Sequence, residues 1–481
     1  MVTRMTRKIL LIGMAMMFFS ACAPAQTSDD VERPEFTGEP SEPALVYSRE
    51  LINARMSDWH NKDVLTAFPR VYYAQEIPEG AQEAQWDYVS GVVAKGILDA
   101  WEYYQKEVWA DAWYKSLCKW ALKQQAVDQG GILDDLNCTK VFLGLYEGAK
   151  PGGKFANEKN AAYFMEQLRR GARGLADHKA RFSIAKGGAK GGWMHKASED
   201  PTKLYHGQMW CDGAYMGPAL LAQLIAVGAT EGLDLGWDDV VLQFTACWPY
   251  LWDEKEKLLY HVIFTDIKTN KNARALYEAG HLHPCAADKK IYRSEEFWGR
   301  ANGWFILALV DVLESMDNAG YTGAGRETLL GYLRQLADGL VARQDPKSGC
   351  WYQLLAYGSD KCATQGKDDT GSAKFTNVEA GGTQCNYLES SASCLIMAAL
   401  LKGTRLGYID HAEAVRHAIW NIDRTFIEFN QVMYSCQSAG LSADRNGTSA
   451  YYLIGKDVPI QNNTEGKALG ACIMAFLEAE R

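Results

Sequence analysis

The feature that most constrains the fold of this chain is a helical pattern that runs from Leu45 to the C-terminus. Apolar residues recur at three- and four-residue spacing, as in Val310, Leu313 and Met316, which is the spacing of one helix face. Clusters of Gly, Asp, Asn and Ser separate the periodic segments. Helices are predicted near 45–58, 86–105, 108–125, 137–147, 157–173, 212–230, 236–252, 296–316, 325–343, 386–403, 411–428 and 466–480.

These predicted helices indicate an all-α fold. Twelve helices with short connections pair into six antiparallel hairpins, and six hairpins closed in a ring form an (α/α)6 barrel with a funnel at one end. Two stacked helical domains fit the same pattern, and periodicity does not separate the two arrangements. No close repeat of fixed length is visible, which argues against a solenoid. The long segments 184–192, 268–290 and 356–383 are predicted to be loops.

Size and composition indicate a large globular protein and disfavour a nucleic-acid binder. With 481 residues, 47% of them hydrophobic, the chain can bury a large core. Its net charge of -9 is unlike the basic surface of a nucleic-acid binder. The 15 Trp and 24 Tyr offer flat apolar faces with a polar handle, which suit stacking on sugar rings. Large helical cores also contain many aromatic residues, so most of these are expected in the core.

The N-terminus has the pattern of an export signal. A basic segment, 4–8, precedes an apolar run, 9–19, that is short for a membrane span. Phe19-Ser20-Ala21-Cys22 then resembles a bacterial lipobox, in which Cys22 is the lipidated residue. Ala23-Pro24-Ala25 is the alternative, an ordinary signal-peptidase site.

This pattern predicts a signal peptide at 1–22 and a flexible linker at 23–44 rich in Pro, Glu, Ser and Thr, which leaves 45–481 as the folded helical domain. The predicted location is the periplasm or outer membrane of a bacterium, with membrane contact only through the lipid anchor.

The cysteines do not have metal-binding spacing. Of the 12 in the chain, eleven remain when Cys22 is set aside, and they form no CxxC pair and no Cys/His cluster. In an oxidising compartment, Cys350 and Cys362 are the nearest candidates for a disulfide, across a Gly-rich loop. The others are predicted to be small buried apolar residues.

The segment His206–Gln223 places one acid, Asp212, among aromatic and small residues at the mouth of an apolar helix. Trp210 and Tyr215 flank it. A carboxylate among aromatic rings is poorly solvated, so its protonated form is favoured, as a general acid requires. The alternative is that Asp212 is an N-terminal helix cap, a position where Asp is preferred.

Similar clusters of polar and aromatic residues occur where other predicted helices begin. They are Trp86–Gly91, Leu133–Asn137, Gly191–Lys196, Tyr260-His261, Phe297–Trp304 and Asn386–Ser393. Helix starts can share one rim of a helical barrel, where they form a funnel suited to a sugar. Arg300 there offers a planar fork to a carboxylate.

Each cluster also has a purely structural interpretation. Asp134 and Asp135 can be helix caps, and His195 and His261 can be hydrogen-bonded structural histidines. Arg300 can pair on the surface with the neighbouring Glu295 or Glu296, a contact of small energetic value.

Taken together, these segments resemble the unsaturated rhamnogalacturonyl hydrolases of glycoside hydrolase family 105, relatives of the unsaturated glucuronyl hydrolases of family 88. The resemblance covers residues 84 to 481, in family order. It rests on WDYVSG at Trp86, LDDLN at Leu133, GGWMHK at Gly191, QMWCDGAYM at Gln208, FWGRANGW at Phe297, NYLESSAS at Asn386 and the tail Gly466–Glu478.

The resemblance implies an (α/α)6 barrel that acts on oligosaccharides whose terminal uronic acid a polysaccharide lyase has made unsaturated. In the family's mechanism an acid protonates C4 of the vinyl ether and water adds at C5. The resulting hemiketal opens and expels the neighbouring sugar. The rule that relates carboxylate spacing to retention or inversion does not apply to this chemistry, and no metal or cofactor is expected.

The resemblance also assigns residues. Asp212 matches the catalytic acid and base, and the second acid matches Asp134 or Asp135; Asp135 is preferred because it is nearer the Leu-Asn helix entry. Substrate-facing positions are predicted at Trp86, Tyr88, Asp134, His195, Trp210, His261, Arg300 and Trp304.

Four residues depart from the family's usual pattern: Cys211, Ala214, Gly299 and Ala301. Cys211 is expected to change packing, and Ala301 to change the shape of the pocket, so the motifs define the reaction better than the substrate.

Unsaturated galacturonyl-rhamnose from rhamnogalacturonan, a pectin, is the substrate the resemblance favours. The same chemistry on an unsaturated glucuronyl linkage is the alternative within the enzyme class; an inverting glycosidase or a lyase is less favoured. A helical lipoprotein that binds glycans without catalysis is the alternative outside that class. Such a binder needs aromatic platforms but has no use for a desolvated acid.

Overall fold

The computed structural model describes residues 85–178, 181–182, 191–196, 200–366, 378–379, 381–428, 431–456, 458, 460–461 and 466–481. The predicted signal peptide, linker and first helix, at 1–22, 23–44 and 45–58, lie outside the described residues, as does most of the predicted loop at 184–192.

The described residues are mostly helical. The α-helices are α1 Tyr88–Tyr103, α2 Asp111–Ala121, α3 Leu133–Asn137, α4 Val141–Ala149, α5 Glu158–Ala176, α6 Gly213–Met216, α7 Pro218–Ala226, α8 Trp237–Leu251, α9 Lys271–Glu278, α10 Gly299–Asn318, α11 Ala324–Val341, α12 Ser390–Arg405, α13 Ala412–Phe426, α14 Ser449–Ile454 and α15 Gly466–Glu480. Short 3-10 turns at Val108–Ala110 and Cys138–Lys140 precede α2 and α4.

The helices form an (α/α)6 barrel, which confirms the predicted fold. Helix α10 packs against α7 and α12, α12 packs against α15, and α15 packs against α1. The C-terminal helix therefore closes the ring against the first described helix. Helices α10, α12 and α15 are buried over nearly their whole length, as expected for the inner ring of a barrel.

Two glycines allow α10 and α12 to approach closely. A Cβ atom built on Gly299 would lie 2.9 Å from the Cβ of Ala392, and one built on Gly303 would lie 2.8 Å from the Cβ of Leu395. Because Gly299 and Gly303 are four residues apart, they lie on the same face of α10. This approach brings Arg300 to the first turn of α12.

Two predicted boundaries were wrong. The segment predicted as one helix at 212–230 is two helices, α6 and α7, because Pro218 begins a new helix at its first position, where its missing N–H costs nothing. The segment predicted as a loop at 268–290 contains α9, whose cap Asn270 accepts a hydrogen bond from the N–H of Ala273.

A small antiparallel sheet was not predicted. Its strand order is β3-β6-β8-β7, and the four strands are β3 Gln208–Trp210, β6 Val262–Phe264, β7 His283–Pro284 and β8 Tyr292–Arg293. Strands of two or three residues are too short for an alternating pattern to stand out in the sequence. The sheet nevertheless brings the segment before Asp212 beside His261.

The other strands form two-stranded pairs. They are β1 Arg181–Phe182 with β2 Gly192–Trp193, β4 Trp252–Asp253 with β5 Leu258–Leu259, β9 Cys362–Thr364 with β10 Thr383–Cys385, β11 Ile427–Glu428 with β12 Gln431–Val432, and β13 Ser435–Cys436 with β14 Ile460–Gln461. None of the helices in the described part of the chain is both long and apolar enough to cross a bilayer.

The predicted disulfide between Cys350 and Cys362 was wrong. Cys362 is bonded to Cys385 instead, because the register of β9 and β10 places these two residues directly opposite each other. Cys350 is a free, buried thiol, and burial raises its pKa to about 12.

Candidate active site

A cavity of about 210 Å³ opens where several of the predicted clusters meet. Its walls come from the starts of α1, α3 and α10, from the segment before α6 and from the loop after β13. The residues that line it are Tyr88, Ile132, Asp134, His195, Lys196, Tyr205, Trp210, Asp212, Met216, Trp298, Arg300, Trp304, Ser438 and Ala439.

Asp212 lies at the wall of this cavity and is 7% exposed. It directly precedes α6, yet its side chain makes no capping hydrogen bond. The capping interpretation therefore does not explain this residue. Its carboxyl group is turned toward His261, with Oδ2 lying 3.3 Å from His261 Nε2.

The register of two strands brings Asp212 and His261 together. Trp210 in β3 pairs with Val262 in β6, and the N–H of Cys211 donates to the carbonyl oxygen of His261. Asp212 lies two residues after β3, and His261 lies directly before β6. The two residues are therefore neighbours. His261 is fully buried and does not itself line the cavity.

A second histidine, His195, positions the other acid. Its ring stacks on Trp210 at a centroid distance of 4.4 Å and an interplanar angle of 8°. The N–H of Leu133 donates to the carbonyl oxygen of His195, which places the start of α3 beside this ring. As a result His195 Nε2 lies 3.3 Å from the carboxylate of Asp134.

Of the two adjacent acids in α3, the structure places Asp134 in the cavity and Asp135 outside it. The side chain of Asp134 is 28% exposed and contacts His195, whereas Asp135 is exposed and is not among the lining residues. The preference for Asp135 as the second acid is therefore corrected. One residue along a helix turns a side chain by about 100°, so only one of the pair can face the cavity. Neither caps α3, whose N-cap is Ile132.

Arg300 lines the cavity, but its guanidinium is held by protein groups. Its Nε donates to Ser391 Oγ at 2.6 Å, and its terminal nitrogens contact Ser435 Oγ, the carbonyl oxygen of Cys436 and, at 3.5 Å, Glu389 Oε1. Arg300 is 2% exposed and Glu389 is fully buried. The surface pairing with Glu295 or Glu296 is thus excluded.

The remaining predicted positions divide between the cavity and the core. Tyr88 and Trp304 line the cavity. Trp86 does not: its ring packs against Trp120 and Phe142 at 5.1 and 4.9 Å, so its predicted substrate-facing position is corrected. Asp87 is the N-cap of α1, so Trp86 lies before the helix and Tyr88 is its first residue.

Three of the four departures from the family's pattern lie behind the cavity wall, and the fourth, Gly299, lies at the contact between α10 and α12. Cys211, Ala214 and Ala301 are buried and are not among the residues that line the cavity. Cys211 Sγ lies 3.3 Å from the carbonyl oxygen of Ala301, so two of them contact each other. Their observed contacts are in the packing behind the wall, and the expected effect of Ala301 on the shape of the pocket stays a prediction.

Seven lining residues were not predicted: Ile132, Lys196, Tyr205, Met216, Trp298, Ser438 and Ala439. Lys196 and Trp298 lie inside the quoted motifs. Lys196 follows His195, and Trp298 is two residues before Arg300, so these predicted neighbours are the sequence signal that could have identified them. Tyr205 belongs to no motif; its ring lies 4.5 Å below the ammonium group of Lys196.

Glu296 is a buried carboxyl group that was considered only as a surface partner of Arg300. It is 5% exposed and accepts hydrogen bonds from the hydroxyl of Tyr357 and the N–H of Ser449. Burial raises its pKa to about 7, although Lys361 and the two hydrogen bonds oppose this rise. Glu296 therefore links the segment before α10 to Ser449, the first residue of α14, and its pKa lies near neutral pH.

We expect Glu296→Gln to remove a pH dependence of stability. The pKa is about 7 in the folded protein and about 4.3 in an unfolded chain. The native state thus binds more protons between these values, and the contribution of Glu296 to stability is lost as pH rises through this window. In urea titrations, the stability of the variant relative to the wild type should rise by about 2–3 kcal/mol between pH 5 and pH 8. Glu327→Gln, at an exposed glutamate, should produce no such change; equal curves for Glu296→Gln and wild type would contradict the assignment.

A buried acid, two histidines and aromatic walls at the mouth of an (α/α)6 barrel define a carbohydrate-active site. The sequence model of Glycosyl Hydrolase Family 88 matches residues 61–378 and 369–481, which together are most of the chain. The chain therefore belongs to this family and is a glycosidase, and the resemblance predicted from the motifs is confirmed.

Similar proteins are consistent with this membership. Protein Atu3128 of Agrobacterium fabrum is 29% identical over 202 residues, which are 39% of this chain and 73% of that protein. A Clostridium structure, the C. acetobutylicum glycoside hydrolase from family 105, superimposes with a TM-score of 0.59 at 23% identity and covers 90% of this chain and 99% of its own. A possible family 105 member from Salmonella enterica gives 0.59 at 18% identity, covering 93% and 96%. At these identities the structural matches concern the fold.

Proposed function

We propose that this protein releases a terminal 4,5-unsaturated uronic acid from lyase-generated oligosaccharides, and that its substrate is unsaturated galacturonyl-rhamnose. The observation that carries the proposal is Asp212: a carboxyl group 7% exposed, free of a capping role, at the wall of an aromatic-lined cavity. This position puts the carboxyl group within reach of a sugar ring bound in the cavity, as a general acid requires.

In the proposed reaction Asp212 donates its proton to C4 of the unsaturated ring. Positive charge develops at C5 and the ring oxygen, and water adds to C5 while its proton passes to the Asp212 carboxylate. The C5 hemiketal opens by breaking its bond to the ring oxygen, which leaves a hemiacetal at C1. That hemiacetal collapses and releases the neighbouring sugar as an alcohol. The catalyst returns to its starting protonation state.

The size and lining of the cavity support action on one terminal residue. Its volume of about 210 Å³ is small beside the roughly 300–1,000 Å³ of pockets for drug-sized ligands. Trp210, Trp298 and Trp304 offer apolar faces to a sugar ring. Lys196 and Arg300 bring positive charge for the uronate carboxylate, and Arg300 shares its charge with Glu389.

The test follows the near-ultraviolet absorbance of the conjugated alkene during incubation with lyase-treated pectin oligosaccharides. We expect the absorbance to fall and rhamnose-terminated product to appear. The matched control is the same oligosaccharide with a saturated galacturonyl terminus, which lacks a C4–C5 double bond to protonate and should remain intact. Faster turnover of unsaturated glucuronyl substrates would move the specificity to the alternative linkage. Constant absorbance with both kinds of substrate would rule out the activity and leave a glycan binder.

A pair of adjacent variants tests the second acid. We expect Asp134→Asn to lower kcat/KM by roughly 10- to 100-fold, because a hydrogen bond to a charged group is worth about 1.5–3 kcal/mol. Asp134 would accept hydrogen bonds from the uronyl hydroxyls while His195 holds it in place. Asp135→Asn is the matched control and should change kcat/KM by less than about twofold, because that side chain lies outside the cavity. The reverse order of effects would restore Asp135 as the second acid.

We also propose that the protein is exported and anchored through a lipid on Cys22. The support is the sequence of residues 1–22 alone. Mass spectrometry of the mature N-terminus in wild type and Cys22→Ala distinguishes a lipidated Cys22 from cleavage after Ala25.

A further inference from the structure

A buried tyrosine outside every sequence motif contacts the histidine beside Asp212. Tyr452 lies in the short helix α14, and both Tyr452 and His261 are fully buried. The hydroxyl oxygen of Tyr452 lies 2.6 Å from His261 Nδ1. The tyrosine is thus on the side of the imidazole opposite to Asp212.

The direction of this hydrogen bond follows from what surrounds it. Burial holds the pKa of Tyr452 well above its ordinary value, so the phenol keeps its proton. Among the hydrogen bonds of the described residues, this hydroxyl has one partner, His261 Nδ1. Tyr452 therefore donates to Nδ1, and a neutral His261 must carry its own hydrogen on Nε2.

The opposite ring nitrogen faces the proposed catalytic acid. His261 Nε2 and Asp212 Oδ2 are 3.3 Å apart, and both atoms are buried. Neither makes a well-aligned hydrogen bond within the described residues, the contact between the two included. Trp298 and Trp210 pack against the imidazole at 4.7 and 5.4 Å, which restricts its rotation. The ring is thus set to present Nε2 to the carboxyl group.

We propose that Tyr452 is a positioning residue, which fixes His261 in the Nε2–H tautomer so that this N–H faces Asp212 Oδ2 and is available to donate to it; this role rests on the proposed function of Asp212. With Oδ2 held, the other carboxyl oxygen is the one left to face the cavity. In the opposite tautomer a lone pair on Nε2 would face Oδ2. It would repel the carboxylate, or accept the proton that the reaction needs at C4.

The variant Tyr452→Phe removes the hydroxyl and keeps the ring. We expect kcat to fall by about 10- to 100-fold, as when the partner that orients a histidine is lost, with KM changed by less than about twofold. Nuclear magnetic resonance of protein carrying 15N-labelled histidine reports the tautomer directly, and His261→Gln assigns the signal among the nine histidines. Wild type should show His261 protonated on Nε2, and Tyr452→Phe should lose that signature.

The neighbouring Tyr451→Phe is the matched control. Tyr451 is also buried in α14, but its hydroxyl accepts from the N–H of Gly440. It should keep the Nε2–H signature of His261. A loss of kcat in Tyr452→Phe with that signature intact would overturn the proposal, as would a changed signature with kcat intact. The tautomer measurement needs no substrate, so it separates failure of this proposal from failure of the proposed activity.

Discussion

Asp212→Asn is expected to lower kcat by about 10³-fold or more on unsaturated uronyl substrates, with KM within about threefold of wild type. General acid–base groups contribute about 10²–10⁴-fold each, and Asp212 is proposed to serve as both acid and base. Asparagine has the same shape and cannot give a proton to C4. Its amide oxygen can face His261 Nε2 as the carboxylate oxygen does, so the variant should fold normally and bind substrate.

The measurement is the loss of alkene absorbance under saturating substrate, together with urea unfolding of both proteins. Asp135→Asn, at an exposed acid outside the cavity, serves as the matched control. If Asp212→Asn kept wild-type turnover, the site assignment would be wrong even if the activity itself were established. If the variant were also strongly destabilised, the comparison would move to Asp212→Glu, which keeps an acid but displaces it by one methylene.

Much of the fold was predictable because helix periodicity is a local signal. The predicted helix at 466–480 coincides with α15, and the one at 325–343 differs from α11 by one residue at its start and two at its end. The division of 212–230 into two helices depended on Pro218, a single residue within an apolar run. The four-stranded sheet was missed because it depends on pairing between β3 and β6, about 50 residues apart.

Much of the cavity lining was also predictable, because helix starts meet at one end of a barrel. Asp212, His195, Trp210, Arg300 and Trp304 all line the cavity. What the sequence could not resolve was the direction in which a side chain points.

Asp134 and Asp135 are adjacent and chemically equal, and only the contact with His195 separates them. Tyr452 and Glu296 were missed because their roles depend on α14, a helix of six residues that packs near the site from far along the chain.

The structure gives Arg300 a second role beside the predicted one. The guanidinium predicted to offer a planar fork to a substrate carboxylate is also a buried cation held between α12 and β13. Glu389 caps α12 by accepting from the N–H of Ala392, and it also accepts from Ser391 Oγ and from the N–H of Cys436. Arg300 donates to Ser391 Oγ in turn. One ion pair therefore joins the cavity wall to two elements behind it.

This network predicts that Arg300→Met is strongly destabilising. The substitution keeps much of the volume but leaves the charge of Glu389 buried without its partner, and breaking a buried pair in this way costs about 3–5 kcal/mol. Urea titration measures the loss. The control is Arg173→Met: Arg173 pairs with Glu166 at 2.8 Å, with side chains 41% and 51% exposed, so its loss should cost less than about 1 kcal/mol.

A double-mutant cycle separates the scaffold role of Arg300 from a role in substrate binding. If the two charges depend on each other, Arg300→Met combined with Glu389→Gln should be more stable than the sum of the single effects predicts, because the second change removes the stranded charge. A coupling energy above about 1 kcal/mol would establish the buried pair. If instead Arg300→Met unfolded at the same urea concentration as wild type while KM rose tenfold, the guanidinium would serve the uronate carboxylate and not the wall. A loss in both measurements is what the geometry predicts, because the same guanidinium lines the cavity and anchors the start of α12.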